Sequence, residues 1–444
     1  MSTPDMLPSG NQFAFACTRR FLPLFGTQFF GAFNDNLFKT SLFVLISFYG
    51  LGANSWLPAS QMLNAGALLY ILPFFLFSAL SGELSNKMDK AILARWIKAA
   101  EICIMLIAGI GFWMQSVTIL MLCLFLMGTH STLFGPLKYA VLPEYLPKYE
   151  LLNGNSLIES GTFLSILFGQ ILGTILAGTN TAWLFGILLF VAILGQIASI
   201  FMPRVPAQIP QQYIDSNIMR STKQLLKQTY LQKNLWIAII GISWFWLIGS
   251  VYITQLPTFT RLNLGGNEAV FNLMLTLFSL GIGTGSIVCA RISRHQLHLS
   301  LVVIGTIGLS IFGLLLVWFT QSPSQPNLPV AGIGTFIGRP DSMAIIICII
   351  GIGFFGGFFS LPLYTWLQIA SSDQFRSHAI AANNIINGLF MVCAAILSAV
   401  LIWLFNSINA LYMIVALGNV PVLIYLWRNQ ELRIDFKEFI LRKY

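Results

Sequence analysis

Residues 342–366 read Ser342-Met343-Ala344-Ile345-Ile346-Ile347-Cys348-Ile349-Ile350-Gly351-Ile352-Gly353-Phe354-Phe355-Gly356-Gly357-Phe358-Phe359-Ser360-Leu361-Pro362-Leu363-Tyr364-Thr365-Trp366, without one charged side chain. As a helix rising about 1.5 Å per residue, such a run crosses the ~30 Å hydrocarbon core of a bilayer. Its apolar residues do not alternate with polar ones, as the strands of a membrane barrel require. The stretch sets the fold class: an all-α membrane protein.

Working outward, similar runs bounded by Gly, Pro and charge fall near 21–49, 58–81, 91–114, 117–140, 153–178 and 181–202. A second set falls near 234–257, 268–291, 298–320, 342–366, 377–405 and 408–427, giving twelve transmembrane helices. Composition agrees, since 56% of the 444 residues are hydrophobic and only 9% charged, with mean hydropathy +0.78. A soluble domain carries about 25% charged residues, so this chain cannot cover a water-facing surface. No cleavable leader is expected, because the first twenty residues are polar or mixed and end in Arg19-Arg20. The first span is expected to act as its own insertion signal. The six cysteines are scattered and form no CxxC or Cys/His cluster, so no metal, disulfide or cofactor is expected.

Basic residues give an independent topology. The termini and even-numbered loops take 21 of the 24 Lys and Arg, including Lys87, Lys90, Arg95 and Lys98 after the second span. The odd-numbered loops hold Arg261 and Arg339, and Lys39 lies inside the first span. This bias assigns both termini to the cytoplasm. The net charge of +9 follows from that topology and gives no argument for nucleic acid.

Four segments follow: a six-helix bundle over 1–202, a cytoplasmic linker over 203–233, a second six-helix bundle over 234–427 and a basic tail over 428–444. In the linker, Ile218, Thr222, Leu225, Leu226 and Thr229 recur at helical spacing beside Arg220, Lys223, Lys227 and Lys233. Two readings stand: a basic amphipathic helix on anionic lipid, or a solvated linker obeying the charge rule. The halves also repeat. Gly135-Pro136-Leu137 followed by Asn155-Ser156-Leu157-Ile158-Glu159 in the first half corresponds to Leu361-Pro362-Leu363 followed by Asn383-Asn384-Ile385-Ile386-Asn387 in the second. Two six-span repeats are the architecture of the major facilitator fold.

Charge inside a span costs about 2.5–3.5 kcal/mol on insertion scales, so each such residue needs a partner or a wet cavity. These residues concentrate in the first half. Gln28, Asn34, Asp35, Asn36 and Lys39 lie in the first span, and Asp35 and Lys39 share a helix face. Gly135-Pro136 is expected to break the fourth span just before Lys138 and Tyr139, with Pro143-Glu144 following. Asn155 and Glu159 open the fifth span, and Asn383 and Asn387 hold the matching place in the second half. Structural readings stand beside the functional ones: an internal Asp35–Lys39 salt bridge, Lys138 and Glu144 as interface anchors, and Glu159 as a brace at a helix junction. One polar half and one apolar half suit an amphiphile, head on the first and tail on the second.

The loop Gly82-Glu83-Leu84-Ser85-Asn86-Lys87-Met88-Asp89-Lys90 resembles the superfamily's gating signature. Asn86 stands where the usual acid belongs and Asp89 where the second Gly belongs. Gly82, Glu83, Lys87, Asp89 and Lys90 are the candidate gating residues.

Taken with Gln28-Phe29-Phe30-Gly31-Ala32-Phe33-Asn34-Asp35-Asn36, Gly135-Pro136-Leu137-Lys138-Tyr139 and Gly356-Gly357-Phe358-Phe359-Ser360-Leu361-Pro362-Leu363, the chain resembles the bacterial lysophospholipid transporters of the major facilitator superfamily over nearly its whole length. The resemblance implies movement of lysophospholipid, chiefly lysophosphatidylethanolamine, to the inner leaflet of the bacterial inner membrane for re-acylation. It carries head-group or gating roles to Asp35 and Lys138, with Asn155 and Glu159 as helpers. The family places an Arg in the seventh span, and Gly249-Ser250-Val251-Tyr252-Ile253-Thr254-Gln255-Leu256-Pro257 has none. The chain is closest to the form fused to acyltransferase and acyl-carrier-protein ligase domains, so that enzyme partner is expected to be a separate chain. Membrane lipid is the other expected partner.

The rivals are an exporter of a small cation using Asp35 and Glu159 as proton-coupling acids, a membrane-embedded lipid enzyme, and a non-transporting scaffold. No His (130, 295, 298 or 378) has the acid of an HxxxxD acyltransferase motif, and no Ser/His/Asp constellation is visible, so no enzyme activity is expected.

Overall fold

The computed structural model describes residues 12–52, 59–215, 217–294, 296–321 and 331–441. His295, residue 58 at the start of the second expected span, and residues 442–444 of the tail lie outside them.

The described residues form helices and loops without a strand. Twelve helices have span length: α1 (Leu22–Phe48), α2 (Ala59–Lys87), α3 (Lys90–Trp113), α4 (Val117–Tyr145), α5 (Leu151–Ala177), α6 (Thr181–Ile200), α8 (Lys233–Leu262), α9 (Glu268–Ser293), α10 (Ser300–Phe319), α12 (Ser342–Ala370), α13 (Arg376–Phe405) and α14 (Ile408–Trp427). Between and after them lie α7 (Ile218–Leu231), the short α11 (Ile333–Ile337) and α15 (Gln430–Leu441). Ten of the long helices are apolar enough to cross a membrane by composition alone. The other two are α1, which holds Asp35 and Lys39, and α3, which holds Lys98 and Glu101.

Tight loops start from polar caps that satisfy the first free N–H groups. Asp89 accepts from Ala91 N at 2.8 Å to start α3, and Asn180, Asn267 and Ser407 do the same for α6, α9 and α14. Four of the exposed tryptophans (Trp113, Trp183, Trp318 and Trp403) sit at helix ends that flank odd-numbered loops, and exposed Trp96 and Trp427 lie toward the opposite ends of their helices. That is the placement of an interfacial aromatic belt.

The chain folds as two compact units. Of the described residues, the first holds those within 1–154, 164–235 and 368–385, and the second those within 155–163, 236–367 and 386–444. Each unit therefore takes a short segment from the other half of the sequence: the start of α5 goes to the second, and the α12–α13 junction to the first. In the first unit, Leu37, Phe38, Met105, Leu120 and Met127 belong to a buried cluster to which all of α1 to α6 contribute. In the second, α9 and α12 meet backbone to backbone. A Cβ on Gly285 would stand 2.1 Å from Phe354 O, and one on Gly353 2.3 Å from Phe278 O. Small residues at such crossings let dispersion and packing hold helices together where lipid supplies no hydrophobic drive.

Three sequence expectations need correction. Gly135-Pro136 does not break the fourth span, since α4 runs unbroken to Tyr145 through Pro136 and Pro143. A proline removes only its own N–H bond, and a span in a protein interior tolerates that loss. Gly135 serves close approach instead: its missing Cβ would lie 2.6 Å from Asn384 Nδ2. Lys98 is not a loop cation but a fully buried residue two turns into α3. Finally, α7 is not free in solvent. Its Ser221, Leu225 and Thr229 are buried, and Ser221 donates to Glu83 of α2 at 2.7 Å.

Candidate functional site: a buried charge network in the first unit

Four helices deliver polar groups to one place inside the first unit. Asp35 of α1 accepts hydrogen bonds from Ser131 of α4 and, at 3.3 Å, from the Tyr70 hydroxyl of α2. His130 of α4 bridges two acids, with Nδ1 4.0 Å from Asp35 Oδ1 and Nε2 3.1 Å from Glu101 Oε2. Glu101 of α3 pairs with Lys98 one turn earlier and accepts from Asn34 Nδ2 at 2.8 Å. Lys98, Glu101 and Asn34 are fully buried, and Asp35 and His130 nearly so. The group gathers two carboxyls, one ammonium and one imidazole. Buried charges persist only with such pairing.

The sequence placed Asp35 among the candidates and offered an internal salt bridge with Lys39 as one reading. The geometry differs. Lys39 Nζ sits 5.0 Å over the Tyr70 ring, and Asp35 takes Ser131 and Tyr70. Lys138 Nζ lies 4.9 Å over its neighbour Tyr139, whose carbonyl accepts from Gln368 at 3.0 Å. Both lysines remain within electrostatic reach of Asp35. Cations held by aromatic faces, rather than by a carboxylate, keep their charge available to a ligand. Of the remaining first-span candidates, Gln28 is buried and Asn36 bonds back to Ala32 O at 2.8 Å.

Lys98, Glu101 and His130 were missed. Their signal was the Lys98–Glu101 spacing of three inside an apolar run, plus a histidine in the middle of the next span. They were hidden beside the basic loop that dominates residues 87–98.

The other candidates disperse. Asn383 belongs to the first unit, buried with neither side-chain atom bonded. Asn155, Glu159 and Asn387 belong to the second. There Asn155 donates to Thr365 at 3.1 Å, Asn387 accepts from Ser243 at 2.7 Å, and Glu159 accepts from Ser286 at 2.9 Å and is hydrogen-bonded to Ser360. In the seventh span, Tyr252 of α8 packs on Tyr412, with ring centroids 4.6 Å apart.

The gating candidates also take separate partners. A Cβ on Gly82 would stand 3.0 Å from Ala381 and 3.3 Å from Ser377 O. Glu83 accepts from Ser221 and, at 3.2 Å, from Asp215 N. Asp89 is the α3 cap, Lys90 pairs with Glu144 at 2.7 Å, and Lys87 closes α2. Asn86, in the place of the usual acid, donates to Gln374 O at 2.9 Å and lies 2.8 Å from His378 Nδ1. Among the described residues, no group of His, Cys, Asp and Glu is arranged to hold a metal ion.

A helical membrane bundle with a charged interior defines a polytopic transport protein, and the comparisons place it. The model of the Major Facilitator Superfamily matches residues 24–331, and the chain belongs to that superfamily. A protein of Enterobacter sp. (strain 638) named lysophospholipid transporter LplT is 25% identical over 366 residues, covering 81% of each chain. Its namesake in Yersinia pestis (strain Pestoides F) is 24% identical over 379 residues, covering 83% of this chain and 82% of its own. Among solved structures, the human organic anion transporter MFSD10 superposes with TM-score 0.70 at 14% identity, covering 91% of this chain and 99% of its own. The E. coli fucose:proton symporter FucP superposes with TM-score 0.66 at 13% identity, covering 92% and 98%. The fold and the family resemblance read from the sequence agree with these findings.

Proposed function

We propose that the chain moves lysophospholipid, lysophosphatidylethanolamine foremost, from the outer to the inner leaflet of the bacterial inner membrane, both termini cytoplasmic. There an acyltransferase rebuilds the diacyl lipid. The observation that carries this reading is the opposed charge in the first unit: Asp35 on one side, Lys39 and Lys138 held over aromatic rings within its field. A zwitterionic head brings an ammonium for the carboxylate and a phosphate for a lysine, and both pairings strengthen away from water. The curated relatives of that name support the substrate class. Asn155, Glu159, Asn383 and Asn387 act at the helix junctions rather than on the head group. The contacts of Gly82 and Asn86 with the α13 start form the closure that parts when the site opens to the cytoplasm.

The test is uptake of labelled lysophosphatidylethanolamine by spheroplasts lacking their own transporter. Wild-type chain restores uptake, and Asp35→Asn abolishes it. No uptake with the wild-type protein present in the membrane overturns the substrate assignment and brings forward export of a small cation.

A further inference from the structure

Glu159 is the acid that the head-group scheme does not use. It lies just over two turns inside α5, on the short segment 155–163 that belongs to the second unit. Its carboxyl is gripped from two helices, by Ser286 of α9 on one oxygen and Ser360 of α12 on the other. Neither partner is a cation. Glu159 is the sole ionisable residue of α5, and α12 carries no Asp, Glu, Lys, Arg or His. On α9 the charged residues are Glu268 in the first turn and Arg291 in the last, both exposed. The titratable group facing Glu159 is the Cys289 thiol. A carboxylate so placed would be a buried charge without a counter-charge, the most costly state available to it.

Counting protons points the same way. Ser360 Oγ stands 2.9 Å from Gly356 O and in hydrogen-bond contact with Glu159 Oε1. A hydroxyl carries one hydrogen, and a carbonyl carries none to give. If Ser360 donates to Gly356 O, the proton between Ser360 and Glu159 must come from the carboxyl. Ser286 then donates to the other oxygen at 2.9 Å, and every group is satisfied.

We propose that Glu159 is a proton-binding site: a neutral carboxylic acid while the start of α5 is clasped between Ser286 and Ser360, and a carboxylate once that clasp opens to water. On opening, the O–H bond of the acid breaks, the proton passes to water and the electron pair stays on the carboxylate. Substrate movement is thereby linked to proton uptake and release at a residue remote in role from the head-group site. The linkage rests on the transporter reading; the proton site itself does not.

The experiment is pH-difference infrared spectroscopy on the purified full-length protein in lipid, without substrate. Wild type should show a carboxylic-acid carbonyl band that titrates, kept in Asp35→Asn and lost in Glu159→Gln. A band that persists in Glu159→Gln overturns the proposal, as does a folded wild-type protein with no such band. Should the Gln variant fail to fold, Ser360→Ala serves in its place. Removing the hydroxyl that accepts the acid's proton should shift the band, and an unshifted band overturns the proposal. Because no lysolipid enters the measurement, its failure and the failure of the substrate assignment are separate results.

Discussion

The Lys98 ammonium stands 2.7 Å from the point where a Cβ on Gly31 would be, so α1 passes α3 there only over a glycine. On the other side a Cβ on Gly195 of α6 would come within 2.8 Å of Lys98 Cε. The lysine is threaded between two bare stretches of backbone, and its charge is then met by Glu101 alone on its own helix.

That enclosure predicts a strongly non-additive pair. Both residues are fully buried, so Glu101→Met leaves an ammonium without its carboxylate, and Lys98→Met leaves a carboxylate leaning on His130. Breaking one side of a buried pair costs about 3–5 kcal/mol, while replacing both with apolar groups is far milder. Thermal unfolding of the purified protein should therefore rank Lys98→Met/Glu101→Met above either single variant. Additive losses would show that the two charges do not compensate one another.

Gly135 offers a test of close approach. A methyl there would meet Asn384 Nδ2 at 2.6 Å, and overpacking of this kind costs about 1–3 kcal/mol. Gly135→Ala should lower stability, and Gly135→Ala/Asn384→Ala should recover most of the loss in the same melt. A role for Gly135 as a helix breaker predicts no rescue.

The C-terminal α15 should respond to acid. Asp435 accepts from Ser300 N at 2.7 Å and lies 3.5 Å from His298. Burial alone would raise its carboxyl, but the bonds from His298 and Ser300 outweigh it and hold the value below the usual 3.8. A folded value below the unfolded one means that the docking contribution is complete above about pH 4. It is lost as pH falls through the depressed folded value. Hydrogen exchange of α15 should accelerate in that acid window, and in Asp435→Asn it should be fast already at neutral pH.

How legible this was depends on how many residues carry each signal. Twelve spans are written in a long series of apolar residues, and the structure places a long helix at each of them. Asp35 was legible because its helix holds few other charges. Lys98 and Glu101 were not, because they follow Lys87, Lys90 and Arg95 so closely that the charge rule absorbed them into a loop. Their burial needs His130 from α4 and the glycines of α1 and α6, and no window on α3 contains those. Pro136 was read by a rule for helices in water, where a lost hydrogen bond stands exposed. The destination of Asn86 was invisible for another reason: its partners Gln374 and His378 lie nearly three hundred residues away in the chain.

The enclosed lysine also bears on how the chain is made. Presented singly to lipid, α3 brings Lys98 and Glu101 at a cost of about 2.5–3.5 kcal/mol for each ionised group. The partners that offset this arrive later in synthesis: His130 on α4, then Gly195 on α6. The third span is therefore secured only after the sixth has left the ribosome. Until then the nascent first half holds a provisional helix, and a truncation after α4 or α5 should be retained by the insertion machinery and cleared by membrane quality control.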